Sequence, residues 1–113
     1  MQNDRFKIAI SMKKFIMYID EIIVNYPRKE YVLKDRILYY SYDILELIYK
    51  ANFNKERYHL QMDILSKISM LDFCLEMSLY KKIISEKKLK SSTNMLSEIA
   101  KMVYGWVDAD KAK

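Results

Sequence analysis

Apolar side chains recur along this chain at alternating spacings of four and three residues, the period of an amphipathic helix and not of a strand. A first helix is expected over about 4–26, where Ile8, Met12, Phe15, Ile19, Ile22 and Tyr26 make one stripe. Pro27 closes it, because the residue before a proline is pushed out of the α region. Proline also suits the first turn of the helix that follows, where its missing N–H would have no partner anyway. That second helix is expected over about 28–51, with Leu33, Ile37, Tyr40, Ile44, Leu47 and Ala51 on its stripe. It carries a second apolar set as well, at Leu38, Tyr39, Tyr42, Leu45 and Tyr49.

The stretch "ANFNKE" breaks the pattern, with Asn54 as a candidate N-cap. A third helix is expected over about 55–85 on Ile64, Ile68, Leu71 and Leu75, widened by Leu65 and Leu79. "KKLKSST" then reads as the last connection, capped by Ser91 or Ser92. A fourth helix over about 92–107 aligns Leu96, Ile99, Val103 and Trp106. Four helices with short connections become antiparallel neighbours, so the expected fold is all-α: one up-down-up-down four-helix-bundle domain over 1–113, with helices two and three the longest.

Composition narrows this further. One Gly and one Pro in 113 residues supply too few turns for a sandwich or barrel. Hydrophobic residues at 51% and charged residues at 31% allow both a core and a wetted surface. No apolar run approaches the roughly 18 residues of a membrane span. The opening "MQNDRFKIAI" interrupts its apolar residues with charges, unlike a signal peptide. Cys74, the only cysteine, has no partner for an internal disulfide and sits in the apolar "LDFCLEM". A cytoplasmic setting is therefore expected, with Cys74 a small buried hydrophobe.

Signals for catalysis are poor. Glu56 and His59 have the Glu-x-x-His spacing of carboxylate-bridged metal bundles, but the chain has one His and the motif needs two. Asp72 and Glu76 form an i, i+4 acidic pair, read as a solvated face or as partners for Lys or Arg. No Gly-rich loop is present to cradle phosphate. Neither an enzyme, a metal, a cofactor nor a small-molecule substrate is expected.

Signals for binding are stronger. One bundle buries one stripe per helix, so the extra set Tyr39, Tyr42, Leu45 and Tyr49 is expected to form a homo-oligomer interface. The net charge of +5 is mild, but residues 81–90 hold five Lys against one Glu. Lys81, Lys82, Lys87, Lys88 and Lys90 are read at the end of the third helix, where one or two cations compensate the helix dipole and five exceed that need. In an antiparallel pair they meet Arg28, Lys29, Lys34 and Arg36 from the start of the second helix. Such a basic end suits a nucleic-acid backbone, through charge and shape and without sequence reading. Gly105, the only glycine, is expected to permit a close helix approach that Trp106 then staples.

Three stretches together, "YPRKEYVLKDRILYYSYDILELIYKAN", "LDFCLEMSLYKKIISEKKL" and "LSEIAKMVYGWV", resemble a known family. It comprises the Avd-like four-helix bundles, named for the accessory variability determinant of diversity-generating retroelements, and relatives encoded in ribosomal-RNA intervening sequences. The matching positions are Pro27 with Arg28 and Lys29, Ile84 and Ser85 with Lys87, and Gly105 with Trp106, within about residues 26–107. The resemblance implies a non-catalytic homopentameric barrel with a basic surface, associated with the retroelement's reverse transcriptase and its template RNA. It departs at the third helix, where retroelement members tend to be basic and this chain has Asp72 and Glu76. The alternative is a stand-alone oligomeric bundle acting as an RNA-associated or adaptor protein.

Overall fold

A computed structural model describes residues 2–113, with side chains from Lys7 onward. The reading of the opening ten residues begins on Met1, which lies outside the described residues. Helix α1 spans Gln2–Ile23, a single 3₁₀ turn spans Arg28–Glu30, and α2 (Tyr31–Asn52), α3 (Tyr58–Tyr80) and α4 (Glu86–Lys111) follow. No strand occurs among the described residues. Each helix packs on two neighbours, α1 on α2 and α4, and α3 on α2 and α4, with no backbone approach along either diagonal. The result is an antiparallel square of helices about 47 Å long.

The stripes read from the sequence face one another. Met12, Phe15, Ile19, Ile37, Ile44, Ile64, Leu71, Leu75, Leu96, Ile99 and Val103 have almost no exposed surface. Burying side chains of this size contributes about 1.5–3 kcal/mol each, before ordering costs. Inside this core runs one polar chain. Tyr26 Oη donates to Ser78 Oγ at 2.7 Å, and Ser78 Oγ donates to the Cys74 carbonyl at 2.9 Å. It ties the segment after α1 to α3 across the diagonal, and every buried group in it has a partner, as burial demands. Burial raises the pKa of both the Tyr26 phenol and the Cys74 thiol, so the thiol stays protonated and inert.

The helix ends depart from the sequence reading at several points. Residue 24 onward is outside α1, and one 3₁₀ turn after Pro27 precedes α2, so Pro27 caps that turn and does not sit in α2. Asn54 is not a helix cap: its Nδ2 donates back to the Lys50 carbonyl at 2.6 Å, closing α2, and α3 starts only at Tyr58.

The larger correction concerns residues 81–91. Helix α3 stops at Tyr80, and α4 begins at Glu86 and becomes the longest helix at 26 residues. Its cap is Ser85, whose side chain accepts from the Lys88 N–H at 3.1 Å; Ser91 and Ser92 lie inside the helix. A Ser/Thr run inside a helix is tolerated when the hydroxyls bond back to the preceding turn. Ser92 Oγ does so to the Lys88 carbonyl at 2.8 Å, and Thr93 Oγ1 to that of Leu89 at 2.9 Å. No helix is long and apolar enough to cross a membrane among the described residues.

Candidate nucleic-acid interface

The antiparallel square places the 3₁₀ turn and start of α2, the end of α3 and the start of α4 at one end of the bundle. Lys81 Nζ reaches Glu30 Oε1 at 3.1 Å and so joins α3's end to the 3₁₀ turn. Around this pair stand Arg28, Lys29, Lys82, Lys87, Lys88 and Lys90, all exposed. Lys34 is half-buried one turn into α2. Arg36 diverges toward α3, close enough to Cys74 that its charge lowers the thiol pKa against the effect of burial. Among the described residues none of these eight forms an ion pair.

The new helix boundary reverses the electrostatic account of the lysine cluster. Only Lys81 and Lys82 follow the end of α3, where the helix dipole favours cations. Lys90 lies in the second turn of α4, and Lys87 and Lys88 occupy its first turn, the positive end of its dipole. Cations there are disfavoured by roughly 0.3–1 kcal/mol each at low salt. Dipole compensation therefore accounts for two lysines, runs against two and leaves Lys90 unexplained.

The turn itself carries a further cost. Ile83 N–H donates to the Ser78 carbonyl at 2.8 Å and Lys82 N–H to that of Leu79 at 2.8 Å. This is the Schellman pattern of helix closure, which needs a left-handed residue, usually glycine, just past the end. Here that residue is Lys82, with φ of 63°. A side chain in this conformation costs about 1–2 kcal/mol.

The opposite end treats its cation differently. Arg57, almost wholly buried before α3, donates through Nε and Nη2 to the two carboxylate oxygens of Asp110 on α4, both at 2.7 Å. Gln61 Nε2 adds a bond to Asp110 at 3.0 Å, and the guanidinium lies 5.3 Å from the centre of the Trp106 ring. The hydrogen bond from Arg57 holds the Asp110 carboxyl below the usual carboxylate range, and Asp110 in turn raises the guanidinium pKa. The bidentate geometry makes this a structural clamp between α3 and α4. Sequence reasoning missed it: Arg57 falls in the expected first turn of the third helix and Asp110 in the polar tail after the fourth, with 53 residues between them.

Trp106 is buried as a core residue, under Arg57, with its Nε1 unpaired. Gly105 does not serve a close approach. It is exposed, and a Cβ built on it would meet nothing within 4 Å. On α4 the glycine follows the outer, wetted face, while the tryptophan one residue on turns inward by a 100° helical step.

The second apolar set of α2 faces outward. Tyr39 and Tyr42 are 56% and 55% exposed, Tyr49 is less so, and Leu45 is half-buried. Tyr49 lies under Lys13 of α1, and Tyr39 makes an edge-on pair with Tyr40. Lys67 of α3 spans both of those rings and pairs with Asp43 at 2.9 Å. Met70 and Phe73 are further exposed apolar side chains on α3, a feature the stripe of α3 did not reveal. Asp72 is half-buried, with one oxygen shielded and unpaired, where a solvated or paired acid was expected. Burial and then Glu76 raise its pKa. Glu56 and His59 are exposed, and no group of three or more His, Cys, Asp or Glu is gathered to hold a metal among the described residues.

A family model described as bAvd-like matches residues 5–109. No curated protein matches the chain.

Proposed function

The chain belongs to the bAvd-like family, and we propose that it is a non-catalytic, cytoplasmic accessory protein of a diversity-generating retroelement. In this reading it binds template RNA, the reverse transcriptase or both, and supports mutagenic copying. The observation that carries the RNA part is the basic end: among the described residues Arg28, Lys29, Lys82, Lys87, Lys88 and Lys90 have no acidic partner, and Lys87 and Lys88 oppose a helix dipole. Cations kept against their own electrostatics are available to a polyanion. The outward Tyr39, Tyr42, Leu45 and Tyr49 support self-association, since a partner copy would cover apolar surface that a monomer leaves wet. Five copies follow from the family resemblance, not from any feature of one helix face.

One observation favours the runner-up, an oligomeric adaptor with a different partner: Glu76 is an exposed acid on α3. Asp72 bears on this less, because it is half-buried with one carboxylate oxygen shielded.

Three measurements test the reading. RNA affinity is measured by fluorescence anisotropy at 50 and 200 mM salt, and counterion release demands a steep fall. Replacing Lys87, Lys88 and Lys90 together by Glu abolishes that binding if the basic end is the site. Affinity indifferent to salt and to this triple change overturns RNA binding. Sedimentation of the purified chain tests assembly, and a monomer at micromolar concentration contradicts it. A gene for a reverse transcriptase beside this one, with repeats that differ at adenines, supports the retroelement role, and its absence favours the adaptor.

A further inference from the structure

We propose that the turn between α3 and α4 is a contact point for single-stranded RNA, with an unpaired base stacked on Tyr80 and the adjoining phosphate held by Lys82. The proposal rests on the nucleic-acid reading above and specifies the form of the partner.

Tyr80 ends α3 and is 80% exposed, more than any other tyrosine of the described residues. Among the described residues its ring has no aromatic or cationic neighbour, whereas Tyr39, Tyr40, Tyr49 and Tyr58 each have one. Lys81 beside it is engaged by Glu30 and anchors the turn to the 3₁₀ segment. Lys82 has no such engagement among the described residues, and it sits where glycine would be less strained. Two backbone hydrogen bonds and the buried Ile84 hold this turn, so the lysine stem leaves a fixed backbone two residues after the exposed Tyr80. Strain kept at an exposed cation without an ion-pair partner among the described residues points to a role in binding.

The aromatic ring decides the class of nucleic acid. A duplex offers phosphates to lysines but keeps its base faces inside the stack. A single strand offers both, and each stacked base contributes about 1–3 kcal/mol. An acidic peptide would engage the lysines and gain nothing specific from Tyr80.

The experiment compares a twelve-nucleotide oligouridine with an RNA duplex of equal length, by anisotropy on the full chain. Tyr80→Ala should weaken oligouridine binding by about 5- to 150-fold and leave duplex binding unchanged. Lys82→Gly should raise Tm by roughly 4 °C yet weaken oligouridine binding, with the salt slope reduced by about 0.7. The gain in Tm shows that lost binding is not lost folding. Unaltered oligouridine affinity in Tyr80→Ala overturns the stacking site, as does an equal loss on the duplex. If the parent binds both RNAs alike and only the Lys87, Lys88 and Lys90 replacement weakens them, stacking fails while the basic-end reading stands. If it binds neither RNA but does bind polyglutamate, both fail.

Discussion

At the end of the bundle where α2 turns into α3, Arg57 is held by both oxygens of Asp110, by Gln61's bond to the same carboxylate and by the Trp106 ring. At the end where α3 turns into α4, Lys82, Lys87, Lys88 and Lys90 have no acid within 4 Å among the described residues. Both ends are built from the same side-chain chemistry at a helix–helix turn. They differ in whether the fold brings a carboxylate to the cation. Where it does, charge and packing form a clamp that stabilises the bundle. Where it does not, the cations lower stability, through an opposed dipole and a left-handed backbone, and remain open to a partner. Net charge alone hides this contrast.

The largest expected effect is at the clamp. Arg57→Ala leaves Asp110 partly buried without its partner and should destabilise the chain by about 3 kcal/mol, read as a shifted midpoint in urea. Asp110→Ala added to it should cost little more, because the interaction is already gone. Full additivity of the two changes would mean that the bidentate pair contributes nothing.

Next in size is Gly105→Ala. Since the site is open and mid-helix, the substitution should stabilise α4 by about 1 kcal/mol. A loss of stability would show that another chain packs there.

Acid sharpens the comparison further. The Arg57 bond lowers the Asp110 pKa, so its contribution is complete above about pH 4, the unfolded value, and is lost as pH falls through the lower folded value. Asp72 has the opposite sign. Burial raises its pKa, so its ionised form costs stability at neutral pH and protonation relieves that cost as pH falls through the raised value. Thermal unfolding of Asp72→Asn should lack this upper limb and keep the acid-side loss. A parent curve without the upper limb would remove the claim for Asp72.

The smallest effects belong to the open end. Alanine at Lys87 or Lys88 should raise stability by about 0.3–0.5 kcal/mol at low salt, and alanine at Lys90 should change it by no more than about 0.5 kcal/mol. A loss near that of Arg57→Ala would mean that these lysines are structural and that the contrast between the ends is false.

The sequence by itself determined the four helices and most of the core, because burial along a helix repeats every 3.6 residues and Ile37, Ile44, Ile64, Leu71, Leu96 and Val103 keep that period. It also made the basic and tyrosine-rich sets legible, since both are dense in the chain. Only the tertiary structure decided which charges are paired. Asp110 meets Arg57 across 53 residues, and no local spacing encodes such a contact. The same holds for the α3–α4 turn. "KKLKSST" is polar enough to read as a loop, and back-bonded hydroxyls with Leu89 and Leu96 packed on the core make it helix. Gly105 shows the converse: composition singles it out, and its surroundings, being empty within the chain, give it no packing role in the bundle. Periodicity is a local property of the chain, whereas charge compensation and close approach depend on which distant segments the packed core brings together.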